Sequence, residues 1–142
     1  MSETRTQEAI EAGVLSFRWE CIHEGVQLAR ISIRPGETST PHYHPTTHDV
    51  LYVMAGILTV TVEVKSDVEK MPYQALCNES PEIVHAEPGK QIHTIRLHPG
   101  EILVVNPLVV HCTRNGANTP CSFLCIEGIG DYGFIRPASP HL

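Results

Sequence analysis

No apolar run in the chain approaches the ~20 residues that a membrane-spanning helix requires, so no span is expected. No two cysteines stand in C-x-x-C spacing. Cys21, Cys77, Cys112, Cys121 and Cys125 are odd in number, and Cys121 and Cys125 lie too far apart on a strand to form a metal knuckle. Reduced thiols packed as small apolar residues are the expectation, as in a reducing compartment. No block of like charge, internal repeat or low-complexity tract marks an interaction tail. Helix signals are scarce, with only Thr6 to Ala12 reading as a turn or two. The start, M-S-E-T-R-T-Q-E, is polar with no apolar h-region after it, so no secretory signal is expected and a cytoplasmic location follows.

What is present fits one domain over residues 1–142, with 42% hydrophobic residues and a formal charge of −6. The negative balance argues against nucleic acid or an anionic membrane surface as partner. Strand signals dominate: Leu15 to Ile22, Val26 to Arg34, Val50 to Met54, Leu58 to Val64, Gln91 to Leu97, Ile102 to Val105, Val109 to Thr113 and Ser122 to Ile126. Turn dipeptides such as Glu24-Gly25, Pro35-Gly36, Ala55-Gly56, Pro99-Gly100 and Asn115-Gly116 separate them. Val60, Val62 and Val64 alternate onto one face. This pattern predicts an all-β sandwich or barrel rather than βαβ units. Ser66 to Gly89, with Pro72, Pro81 and Pro88, has no period and reads as a long insertion, while Arg136 to Leu142 reads as an extended arm.

Histidine carries the chemistry. His42, His44 and His48 fall within a short segment, and His111 lies in a second one, P99-G-E-I-L-V-V-N-P-L-V-V-H-C-T-R-N115. His42 and His44, two apart, point to one face of a strand. Neutral imidazole is the commonest protein ligand for metal, and four converging would make a divalent cation site. Arg30 alternates with Ala29 and Ile31; a solvated face is the default, and binding of a carbonyl oxygen inside the barrel the functional alternative. Tyr52 reads as core, His93 as a satisfied core or surface histidine, and His23, His85, His98 and His141 as solvated.

Gly36, five residues, His42-x-His44, four residues, Asp49, six residues, Gly56 resembles the first motif of the cupin superfamily, with Asp49 at its usual glutamate position. Gly100, His111 and Asn115 match the second motif, whose usual proline and inner glycine are Asn106 and Leu108 here. The resemblance implies a double-stranded jelly-roll β-barrel with a short N-terminal extension, its core motifs at 36–56 and 99–115. His42, His44 and His111 are then implied ligands. His48, at a gap the motif also permits, is taken as the fourth, with Asp49 as the alternative; adjacent strand residues face opposite ways, so only one can point inward.

Four neutral imidazoles leave a divalent ion its full charge, whereas a carboxylate in the set removes one unit. Nitrogen ligation suits zinc first, with nickel or iron(II) behind. A single-domain cupin with a histidine-rich first motif is similar to the bacterial cupin-type aromatic polyketide cyclases. That resemblance implies metal-assisted aldol ring closure of a poly-β-ketone, possible delivery by an acyl carrier protein, and a homodimer to which an N-terminal strand contributes. Phe17, Trp19 and Cys21 are expected on one face of that strand. Asp49, where it is not a ligand, is a candidate base, and Arg30 a candidate oxygen-binding group. An iron(II) dioxygenase of β-diketones and a non-enzymatic small-molecule binding module are the alternatives.

Overall fold

The computed structural model describes residues 16–23, 26–127 and 137; among them there are ten strands and no helix. The strands are β1 (Ser16–His23), β2 (Val26–Ile33), β3 (Asp49–Ala55), β4 (Leu58–Lys65), β5 (Tyr73–Leu76), β6 (Glu82–Glu87), β7 (Lys90–Leu97), β8 (Ile102–Val105), β9 (His111–Arg114) and β10 (Cys121–Glu127). They form two antiparallel sheets. One is six-stranded, in the order β1-β2-β10-β3-β8-β5; the other is four-stranded, in the order β6-β7-β4-β9. No helix here is long and apolar enough to cross a membrane. This is the all-β sandwich expected from the strand pattern, in the jelly-roll form that the resemblance implied.

Alternation places the core between the sheets. On β4, Val60, Val62 and Val64 are buried, and on β10, Cys121, Phe123 and Cys125 are buried while Ser122, Leu124 and Ile126 are partly exposed. Ile95, Leu97, Leu103, Val105, Leu51 and Val53 fill the layer. Each fully buried aliphatic side chain contributes about 1.5–3 kcal/mol by leaving water. Gly56 makes the tight turn between β3 and β4 with φ +76°, and a Cβ there would lie 2.5 Å from the Pro120 carbonyl oxygen and 2.9 Å from Cys121 Cα. No side chain fits that position.

The stretch 66–89, expected to be aperiodic, contains β5 and β6. Its prolines flank the strands instead of interrupting them: Pro72 precedes β5, Pro81 precedes β6, and Pro88 with Gly89 (φ +82°) turns the chain from β6 into β7. All six residues of β6 are exposed, so no apolar alternation betrays it. The helical reading of 6–12 and the C-terminal arm fall outside the described residues, apart from Pro137. So do the side chains of Phe17, Trp19 and Cys21; the backbone of β1 pairs with β2, with a register shift between Trp19 and Cys21.

Candidate metal centre

The two histidine-bearing segments are partners along nearly their whole length, and this pairing builds the site. Gly36 N–H donates to Asn115 O (2.7 Å), Ser39 N–H to Thr113 O (2.8 Å) and Leu108 N–H to His44 O (2.8 Å). His42 and His111 exchange both backbone hydrogen bonds, at 3.0 and 2.9 Å. Farther along, Asp49 opposes Val105, and Gly100 N–H donates to Val53 O (2.8 Å). Asn115, wholly buried, locks the far end by donating from Nδ2 to the carbonyls of Ile33 and Thr119. At the centre of this ladder, residues directly opposite share a face, so the imidazoles of His42 and His111 meet with centroids 4.6 Å apart. His44 joins them at 5.0 Å from His42 and 5.7 Å from His111.

Leu108 takes φ 69° with its side chain 66% exposed. A left-handed leucine costs about 1–2 kcal/mol. The conformation turns the chain so that Leu108 N–H reaches the His44 carbonyl and Val109 O comes within 2.9 Å of His111 Nδ1.

The ring tautomers are set by these contacts. A carbonyl oxygen only accepts, so His111 Nδ1 carries its proton toward Val109 O, and His42 Nδ1 donates to Thr40 O at 2.8 Å. The Nε2 lone pairs of both rings are thereby left for the cluster. His111 Nε2 lies 3.0 Å and His44 Nε2 3.4 Å from Asp49 Oδ2. In a neutral His111, a nitrogen lone pair would thus face a carboxylate oxygen, an arrangement that demands a proton or a metal ion between them. His42, His44, Asp49 and His111 are all buried, each offering a ligand atom within 4.8 Å of the others. By donor chemistry and by geometry the four fit a divalent cation.

Electrostatics agree. Burial, then the nearby His111 and His44, push His42 well below the usual histidine value of 6.5, so it stays neutral, as a ligand must. Burial by itself would raise Asp49. In the metal-free chain, with a proton between the partners, hydrogen bonds from His111 and His44 and their positive charges overcome that and hold its carboxyl well below the ordinary carboxylate range. One pH dependence follows for the metal-free chain. Below 6.5 the unfolded state protonates His42 while the folded state resists, so acid favours unfolding. Stability should be full above 6.5 and decline as pH falls toward the folded value. Buried His93 acts with the same sign. Asp49, depressed below 3.8, enters only in stronger acid. Melting curves between about pH 7.5 and about pH 5.5 should therefore slope downward, less so for His42→Gln; parallel, flat profiles would contradict this.

The structure brings Asp49, the alternative, into the cluster and leaves His48 outside it. His48 is exposed, between buried Thr47 and buried Asp49. Strand parity allows one of the neighbours inward, and it is Asp49, the first residue of β3. Arg30 is likewise exposed, on the face of β2 opposite to buried Ala29 and Ile31, so it does not enter the interior. Tyr52, expected in the core, is 36% exposed. His93 is a satisfied core histidine: Tyr73 Oη–H donates to its Nδ1 at 2.8 Å, and its Nε2–H donates to Gln91 Oε1 at 2.8 Å.

Sequence reasoning missed Cys125 and Glu127. Cys125 Sγ lies 2.8 Å from Asp49 Oδ1, and Thr47 Oγ1–H reaches Glu127 Oε2 at 3.4 Å. Burial, then the charges of Asp49 and Glu127, raise the Cys125 thiol well above its usual range, so it stays S–H. The signal was available: in C121-S-F-L-C-I-E127 the buried parity of Cys121 and Phe123 carries on to Cys125 and Glu127.

A comparison with curated protein sequences gives no match. Among solved structures, an oxalate oxidase is 21% identical over 79% of this chain, with a TM-score of 0.57. The S161A mutant of the Bacillus subtilis oxalate decarboxylase is also 21% identical, over 80%, with a TM-score of 0.57. Peruvianin-I, described as a cysteine peptidase from Thevetia peruviana latex, is 16% identical over 80%, with a TM-score of 0.58. The chain spans 46%, 24% and 56% of these proteins respectively, less than two thirds of each. At such identity the likeness is one of fold. The family model described as Cupin matches residues 11–136, which takes in both halves of the histidine ladder. The chain belongs to the cupin family.

Proposed function

We propose that this cupin is a metal-dependent cyclase that closes rings in a poly-β-ketone by intramolecular aldol condensation. His42, His44, His111 and Asp49 would hold the cation, with zinc as first choice and nickel or iron(II) behind it. One observation carries the reading: three imidazoles and a carboxylate oxygen converge in a buried site, two of the rings with their tautomers preset. A divalent cation there supplies Lewis acidity toward a ketone oxygen, typically several kcal/mol of stabilisation where charge develops.

The chain's own residues prepare the site. Thr40 and Val109 carbonyls hold the Nδ1 protons of His42 and His111 and stop either ring from turning. Asp49 contributes one negative charge and, as a member of the donor set, is no longer available as the separate base foreseen for it. Leu51, on the parity of Asp49 along β3, and Val62, paired with His111 across β4 and β9, are buried beside the site, where charge is screened less than in water. The resemblance to bacterial aromatic polyketide cyclases supports the substrate class and possible delivery by an acyl carrier protein. A homodimer belongs to the same reading, since β1 is an edge of the larger sheet; mass in solution tests that part.

The carboxylate of Asp49 favours a second reading. By lowering the net charge of the site it makes oxidation of bound iron easier than four imidazoles would, which suits an iron(II) dioxygenase cleaving a β-diketone. Feeding the protein the product of a polyketide synthase, with and without oxygen, separates the two. Cyclisation should proceed anaerobically, and chelation should slow it on the order of 10²–10³-fold and leave a mixture of spontaneously closed products. A strict need for oxygen would select the dioxygenase. Correct cyclisation after complete metal removal would overturn the role of the metal.

A further inference from the structure

Asp49 has two carboxylate oxygens, and only Oδ2 is turned to the histidines. Oδ1 faces the opposite way, where Cys125 Sγ lies 2.8 Å from it. Both residues are buried, at 4% and 8% exposure. In the β10–β3 register, Cys125 opposes Leu51 and Glu127 opposes Asp49, so two buried carboxylates sit directly across from each other with the thiol beside both. Sulfur is 3.8 Å from Glu127 Oε1, a full ångström farther than from Asp49 Oδ1. An S–H has one proton to give, and the distances send it to Asp49.

We propose that Cys125 is a positioning residue for the metal centre: its S–H engages Asp49 Oδ1, so that Asp49 presents a single oxygen, Oδ2, to the cation. The inference rests on the metal-centre reading above. The thiol also steadies Asp49 against the carboxylate opposite, because like charges directly across a ladder repel. Without it, Oδ1 loses its buried donor, and the carboxylate is free to turn away from Glu127 and offer both oxygens to the cation. Partners of this kind behind a ligand typically change metal affinity about 10–100-fold when removed.

The test uses the full chain loaded with zinc for affinity, by chelator competition, and with cobalt(II) for its visible spectrum. Cys125→Ala should weaken zinc binding about tenfold or more and alter the cobalt band pattern, which reports ligand number. Cys125→Ser, which keeps a donor, should stay within about twofold of wild type with an unaltered spectrum. A merely space-filling role would lower the melting temperature of both metal-free variants while moving neither affinity nor spectrum. Should Cys125→Ala fail to fold, Cys125→Val removes the donor while keeping the volume filled. Wild-type affinity in the donor-free variants, or equal loss in the serine variant, overturns the positioning role. A sulfur-to-cobalt charge-transfer band in the wild type overturns it differently, by making Cys125 a ligand. A wild-type chain that takes up no metal at all defeats the centre itself, and the inference with it.

Discussion

A chain carrying both His42→Ala and His44→Ala should purify with less than about a tenth of the divalent metal found in the wild type, which should hold one ion per chain. Four-donor zinc sites are worth roughly 10–16 kcal/mol at neutral pH, or ~2.5–4 kcal/mol per donor if shared evenly. Losing two donors then weakens binding by ~5–8 kcal/mol, roughly 10⁴-fold or more. The remaining pair, His111 and Asp49, still face each other at 3.0 Å and can satisfy one another by sharing a proton, so nothing obliges them to keep a metal. Elemental analysis of the two purified proteins reads the result directly. Stoichiometric metal in the double variant would place the ion elsewhere.

The second large effect concerns Asp49. Asp49→Asn keeps the shape of the side chain but removes its charge, and should lower metal affinity by at least about 100-fold, beyond what partners behind a ligand contribute. His48→Ala should leave affinity within about twofold of wild type, because His48 is exposed on the other side of the strand. Chelator competition on both variants decides between them. The reverse ordering would return the fourth position to His48 and, with it, the stronger Lewis acid of an all-imidazole set.

The readings that held were those in which one local signal sufficed. Valine alternation on β4 placed Val60, Val62 and Val64 inside, and the eight strands named from β-branched runs and turn dipeptides all exist, within a residue or two at their ends. The histidine motifs were legible because they are two sides of one ladder, so their spacing is fixed by pairing between residues 36 and 115 at one end and 53 and 100 at the other. Where the reading missed, the deciding fact was non-local. Parity was known to admit only His48 or Asp49, but which one faces inward depends on where β3 begins against β8. Tyr52 is on an outward parity that only its buried neighbours reveal, whereas Arg30 keeps the solvated face that was its default reading. β6 bears no apolar face because both its faces are exposed, and β5 is four residues long, too short for a period to register. The Cys125 contact with Asp49 spans 76 residues of sequence, across two adjacent strands.

Asp49 comes from the six-stranded sheet, whereas His111 opens a strand of the four-stranded one and His42 is bridged to it. Any ion held by all four donors would fasten one sheet to the other, and the sandwich could not open without releasing it. At free metal about 100 times the dissociation constant, such an ion adds about 2.7 kcal/mol to the folded state. Cellular proteases act on opened molecules, so abundance follows that added stability. Metal starvation would then withdraw that stability, and the folded chain would become more open to proteolysis as well as lacking its ion.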